Sequence, residues 1–436
     1  MPQAVPAAIA PQGKRPMNER PPLRVLHTSD WHLGKMLYGR SRHREFEQFL
    51  DWLASLLETE SVDILLVAGD VFDSTTPGTR AQELYYRFIS RVARSSCRHV
   101  VVTSGNHDSP SFLNAPKLLL RSLNVHVVGS VAESPEEEVL VLRDGGGCAE
   151  AVICAVPYLR ERDIRTVEAG ESPDDKTRKL AEGIGRHYAE VVRIAEAARS
   201  GNGMGVPLVV MGHLFAAGPD SSGKEGVRGT FVGTLAQVDS SVFPDGIDFA
   251  ALGHLHGART VSGREHLRYS GSPIPMVFGE AATGKSVVLA SWSGGAFSFS
   301  EIPVPCFQPL VRISGSLDEI SARIFELKAG GSNAWLEIDY TGQEPSSKVK
   351  ETLDGAVRGT DIEIRRVRNS QVAMQVMRQL AADELLEELQ EEEVFRRCLE
   401  ARKVPEEQHP ELMHCYLDIL ASMRGEDPQA EPEDGA

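Results

Sequence analysis

Five short apolar runs, each closed by polar residues of one chemical kind, constrain this chain more than any other feature. They are Leu23 to Leu26 before His27-Thr28-Ser29-Asp30, 63–68 before Gly69-Asp70, His99 to Thr103 before Ser104-Gly105-Asn106-His107-Asp108, Leu208 to Met211 before Gly212-His213, and Phe249 to Leu252 before Gly253-His254. Runs of this length read as buried strands, each delivering a loop. Between the first two, Phe46, Phe49, Leu50, Leu53, Leu56 and Leu57 recur at helical spacing, and between the second and third the segment from Arg80 to Ala93 places Leu84, Phe88 and Val92 likewise. Strand alternating with helix is an α/β pattern. Beyond Leu140 the strands follow one another through Gly- and Pro-rich turns, so this half is richer in β-structure. A layered α/β/β/α sandwich satisfies both halves.

The loops carry Asp30 and His32; Asp70 and Asp73; Asn106, His107 and Asp108; His213; and His254 with His256. Carboxylate, imidazole and amide groups without a thiolate suit Mn, Fe, Zn or Mg. In Asp-x-His or His-x-His on extended backbone the two side chains share one face, so both reach a single centre or two adjacent ones. A lone histidine in a loop is more often solvated or satisfied within the core. A set of such loops, each introduced by a buried strand, points instead to a pair of metals. The six cysteines include no CxxC pair, which argues for reduced thiols rather than a zinc finger or a disulfide frame.

Asp30-Trp31-His32, Gly69-Asp70-x-x-Asp73, Gly105-Asn106-His107-Asp108, Gly212-His213 and Gly253-His254-x-His256, in this order, resemble the signature of calcineurin-like metallophosphoesterases. Within them, the wording from His27 to Gly34, from Ala68 to Asp73, from Tyr269 to Pro275 and from Val394 to Leu399 is similar to SbcD-type bacterial nuclease subunits. The resemblance implies that Asp30, His32, Asp70 and His256 hold one metal and Asp70, Asn106, His213 and His254 the other, with Asp70 bridging. It implies two Mn2+ ions, with Mg2+ as a substitute, activating a water for in-line displacement at phosphorus. His107 is implied as the group that protonates or stabilises the departing sugar oxygen, with Asp73 orienting its imidazole. The implied activity is an ATP-dependent 3' to 5' double-strand exonuclease and single-strand endonuclease that cuts DNA ends and hairpins in repair and recombination. An SbcC-type ATPase would be its partner, with a homodimer of this chain inside a heterotetramer. A calcineurin-like phosphodiesterase of a small nucleotide is the alternative.

The expected organisation is an arm without order at 1–22, a nuclease domain at 23–303, an α+β capping domain at 307–369, a helical partner-binding segment at 371–424 and an acidic tail at 425–436. The net charge of -16 does not exclude a DNA substrate, because 17 acidic against 5 basic residues after Leu380 leave only -4 on the rest. Lys35, Arg40, Arg42 and Arg44 cluster after the first metal loop, where a phosphate backbone could lie, or else form the solvated face of a helix. The stretch from Gly279 to Ser286 fits the P-loop pattern G-x-x-x-x-G-K-S, but the β-branched run after Lys285 reads as a strand where a P-loop needs a helix. No ATP site is therefore expected in this chain. The start lacks a charged region followed by an apolar stretch, and no run approaches the roughly 18 apolar residues of a membrane span, so a cytoplasmic protein is expected.

Overall fold

The computed structural model describes residues 22–165, 171–202, 205–217, 238–342, 344 and 346–369, with Phe395, Arg396, Leu399, His409, Leu412, Met413 and Tyr416 beyond them. The expected N-terminal arm up to residue 21, the acidic tail and most of the segment 371–424 lie outside the described residues. The chain divides into two compact units, one ending at Leu310 and the other beginning at Val311.

In the larger unit the elements run β1 (Leu23–Thr28), α1 (His43–Thr59), β2 (Ile64–Ala68), α2 (Thr79–Val92), β3 (His99–Thr103), β4 (Val125–Val128), β5 (Val139–Arg143), β6 (Ala149–Ala155), α3 (Pro173–Asn202), β7 (Leu208–His213), β8 (Phe249–Gly253), β9 (Arg259–Val261), β10 (Arg264–Tyr269), β11 (Ser286–Ser293) and β12 (Ala296–Pro303). Two mixed sheets result, ordered β12-β11-β1-β2-β3-β4 and β9-β10-β8-β7-β6-β5. The runs are continuously apolar because both faces of each strand are covered. In β2, Leu65 and Val67 join Phe46, Phe49 and Phe88 of the flanking helices. Ile64, Leu66 and Ala68 of the same strand meet Ile153, Val209, Met211 and Phe249 of the second sheet. The far face of that sheet, through Cys154, Val210 and Leu252, packs on Ile184, Tyr188 and Val191 of α3.

Register decides where the loops emerge. β1, β2 and β3 are parallel, with Thr28 opposite Val67 and Ala68 opposite Thr103, so their carboxyl ends lie at one edge. β7 and β8 are also parallel, with His213 opposite Gly253. Ligand sites of open α/β sheets form beyond such strand ends.

The smaller unit contains β13 (Leu310–Gly315), α4 (Leu317–Ala329), β14 (Trp335–Tyr340), α5 (Ser346–Val357) and β15 (Glu363–Asn369). Its sheet order is β13-β14-β15. Ser316 and Glu319 form a reciprocal capping box at the start of α4, and Ile320, Ile324, Leu336, Ile338 and Leu353 make its core. Farther along, the rings of Phe395 and Tyr416 stack at 4.0 Å, so this part of the C-terminal apolar stripes packs on itself. Among the described residues no helix is long and apolar enough to cross a membrane.

Phe249 is fully buried between the two sheets, with its ring against Phe299, Phe297 and His27. Phe249→Ala is expected to lower stability by about 3–5 kcal/mol in urea titrations, and a loss below about 1 kcal/mol would mean that the sheets do not pack as described.

Candidate metal centre

The first two loops are stitched together by continued parallel pairing beyond the strands. The Asp30 N–H donates to the Gly69 carbonyl at 3.0 Å, His32 to Asp70 at 2.9 Å and Leu33 to Val71 at 2.9 Å. Asp30, His32, Asp70 and His254 all adopt left-handed backbone, with φ of 54°, 48°, 49° and 98°. Side chains other than Gly rarely accept that conformation, and each instance costs on the order of 1–3 kcal/mol unless the surroundings enforce it. One enforcing group is Asp108, fully buried, whose carboxylate accepts from the N–H groups of Gly105 at 2.9 Å, Val71 at 3.1 Å and Phe72 at 2.9 Å. Gly105 is needed for close approach, since a Cβ there would lie 2.1 Å from Asp70 Oδ1.

All seven residues read from the sequence as metal donors come together. Asp70 Oδ2 lies 3.5 Å from His32 Nε2 and 3.4 Å from His213 Nε2. Beyond His32, its Nε2 is 3.2 Å from His256 Nε2. Beyond His213, Asn106 Oδ1 is 3.1 Å from both His213 Nε2 and His254 Nδ1. Asp30 groups with His32 and His256, and again with Asp70 and His213, each group with its ligand atoms within 4.8 Å of one another. Its Oδ1 also accepts the His254 N–H at 3.0 Å, and its Oδ2 accepts the Ser29 hydroxyl, itself 2.9 Å from Ser270 Oγ.

The donor set fits divalent ions. His213 Nδ1 donates to the Ala68 carbonyl at 3.0 Å and His256 Nδ1 to Glu280 Oε1 at 3.1 Å, which turns both Nε2 atoms inward, where they would be the ligating nitrogens. Nitrogen and carboxylate donors without sulfur match Mn, Mg, Fe or Zn rather than a soft cation.

Electrostatics tell the same story in protons. Burial pushes Asp70 up, but His213, His32 and His107 outweigh it and hold the carboxyl well below the usual range. Burial pushes His213 down, yet the charge and hydrogen bond of Asp70, with help from Asp30, raise it to about 9. His254 is lowered to about 4 by burial and by its neighbour His213. Asp108 is pushed up to about 6 by burial and by the charge of Asp70.

Two expectations need correction. The Asp73 carboxylate does not orient His107: it faces His32 Nδ1 at 3.3 Å and Lys35 Nζ at 2.9 Å. His107 Nδ1 is 3.1 Å from the Asp73 main-chain carbonyl instead. The cause is local: the Asp73 N–H pairs with the Leu33 carbonyl, which places its main chain beside the first loop, where His32 and Lys35 hold the carboxylate. Arg42 does not face DNA either. It is 2% exposed, grips Glu45 through Nε at 2.7 Å and Nη2 at 2.8 Å, and donates to the Pro275 carbonyl at 2.6 Å. Lys35 is half-buried against Asp73, while Arg40 and Arg44 are exposed. His107 is exposed, with its ring edge-on to His32 at 4.9 Å.

Sequence reading named Asp108 among the loop residues but gave it no role, and it missed Glu280. For Asp108 the available signal was its place three residues after Gly105 in the loop that follows β3, close enough for its side chain to accept from that backbone. In the P-loop-like stretch, a single turn at Phe278–Glu280 leads into β11, so no helix N-terminus follows Lys285.

Gly105→Ala is expected to displace Asp70, costing about 1–3 kcal/mol in thermal unfolding and abolishing divalent-metal binding in calorimetry, whereas wild-type metal affinity would contradict the close approach. A raised His213 pKa stabilises the metal-free fold below 6.5, and that contribution is lost as pH rises through about 9. A metal must displace that proton, so affinity should climb across the same window with net proton release near neutral pH; calorimetry in buffers of different ionisation enthalpy reads it, and no buffer dependence would refute it.

Residues 23–258 match the calcineurin-like phosphoesterase family, and residues 306–403 match a family described as the type 5 capsule protein repressor C-terminal domain, SbcD_C. The chain is 36% identical over 407 residues to the SbcD subunit of the SbcCD nuclease of Escherichia coli K12, covering 93% of this chain and 99% of that one. It is 34% identical over 357 residues to the corresponding subunit of Rhodobacter capsulatus, covering 78% and 86%, and 30% identical over 322 residues to that of Bacillus subtilis, covering 73% and 78%. With donors converging at the strand ends and both parts of the chain matched, this chain belongs to the SbcD family of calcineurin-like metallophosphoesterases.

Proposed function

We propose that the chain is the Mn2+-dependent nuclease subunit of an SbcCD-like complex, cutting DNA ends and hairpins as an ATP-dependent 3' to 5' double-strand exonuclease and a single-strand endonuclease. The observation that carries this reading is the arrangement of two histidine-rich donor sets on either side of one carboxylate, Asp70. Asp30, His32, Asp70 and His256 would hold one ion, and Asp70, Asn106, His213 and His254 the other. Mn2+, with Mg2+ as a substitute, would lower the pKa of a water and neutralise charge on the phosphoryl oxygens.

The chain's own residues supply the rest. His107 is exposed, and its Nδ1 is tied to the Asp73 carbonyl, which leaves Nε2 to carry a proton to the leaving sugar oxygen. Asp73 supports this geometry through its backbone and anchors His32 through its carboxylate. Lys35, Arg40 and Arg44 are the remaining candidates for phosphate contacts, Lys35 beside Asp73 and the two arginines exposed.

The layered sandwich at 23–303 would carry the chemistry and the α+β unit at 307–369 would cap the DNA. The segment 371–424 would dock on an SbcC-type ATPase, in the cytoplasm, with two copies of this chain in a heterotetramer. A small-nucleotide phosphodiesterase needs no such second unit.

The test uses the full chain, with and without the ATPase, in Mn2+ with labelled duplex and hairpin DNA. Wild type should cut both, and His107→Gln should lose about 10²- to 10⁴-fold in cleavage while still binding metal. Turnover of a small phosphodiester without DNA cleavage would overturn the reading.

A further inference from the structure

We propose that Glu280 and Lys285, the two charged residues of the P-loop-like stretch, are positioning residues that set the tautomer and the aim of His256. The proposal rests on the two-metal reading of the site.

The Glu280 carboxylate is committed on both oxygens. Oε1 accepts from His256 Nδ1 at 3.1 Å. Oε2 accepts from Lys285 Nζ at 2.7 Å, the Met276 N–H at 3.0 Å and the Ser272 hydroxyl at 3.4 Å. An ammonium has three protons to give, and that of Lys285 has three acceptors: Glu280, Ser272 Oγ at 2.9 Å and the His256 main-chain carbonyl at 2.9 Å. Its side chain is 7% exposed, which leaves it nothing to offer a nucleotide phosphate. The pair therefore holds His256 twice, by its ring through Glu280 and by its backbone through Lys285.

This grip has a chemical consequence at the other ring nitrogen. An imidazole ligates through a lone pair, so the proton must sit on the nitrogen facing away from the ion. A carboxylate partner fixes that tautomer and makes the ligating nitrogen more basic. His213 achieves the same orientation with a neutral acceptor, the Ala68 carbonyl. His256 is thus backed by a full negative charge and His213 by a peptide dipole. Removing the charge of Glu280 should weaken the ion on the His256 side and spare the one between His213 and His254.

The experiment is Mn2+ titration of the full chain by calorimetry, paired with nitrogen-15 spectra of histidine-labelled, metal-free protein. Wild type should bind two ions and show His256 as the Nδ1–H tautomer, its signal assigned by its absence in His256→Gln. Glu280→Gln should weaken one of the two ions by about ten- to hundredfold, leave the other unchanged and mix the His256 tautomers. Lys285→Met, which keeps the aliphatic stem, should shift affinity in the same direction by a smaller factor. If wild type binds two ions and Glu280→Gln changes neither affinity nor tautomer, the proposal is overturned while the dinuclear reading stands. If wild type binds fewer than two, the reading and the proposal fail together.

Discussion

The contact on which the rest depends is that of the Asp70 carboxylate with His32 on one side and His213 on the other, side chains brought in by two different sheets. His32 follows β1 and Asp70 follows β2 in the first sheet, while His213 ends β7 in the second. Their meeting requires the sheets to pack face to face, which the fully buried contacts of Leu66, Val101, Met211 and Phe249 accomplish beneath the site. The hydrophobic effect, which has no direction, thereby places donors far apart along the chain within reach of one ion.

Local chemistry opposes this convergence. Carboxylates and histidines crowd together, and several occupy backbone conformations that L residues disfavour. The structure answers with over-determination: parallel pairing carried past the strand ends, a buried Asp108 that binds three backbone N–H groups, and a glycine, Gly105, where a side chain would collide with Asp70. Protons take part as well. A histidine paired with Asp70 keeps its charge to a pH well above that of a free imidazole, which balances the carboxylates until a metal replaces the proton.

Much of this was legible in the sequence. Strands buried on both faces write themselves as continuous apolar runs, and residues that end or follow such strands reach the same edge when the strands are parallel, so Asp30, Asp70, Asn106 and His213 could be read as candidates from position and chemistry, while the family resemblance singled them out as donors from neighbours such as Asp73 and Asp108. What escaped was side-chain direction and long-range partnership. Arg42 sits in a basic cluster by sequence, yet its burial depends on a carbonyl at Pro275. Asp73 points to its neighbours across the loop, His32 and Lys35, rather than to His107. In the stretch from Gly279 to Ser286, which matches a phosphate loop by its letters, the strand that rules the loop out was legible, but not that the lysine turns inward to hold a carboxylate. Each miss is a contact that neither spacing nor composition encodes.

Anomalous diffraction at the manganese absorption edge, from crystals of the full chain soaked in Mn2+, tests the central claim most directly. Two peaks about 3.5–4 Å apart, flanking Asp70 with His32 and His256 on one and His213 and His254 on the other, are the predicted result. A single peak, or peaks away from Asp70, would contradict the account.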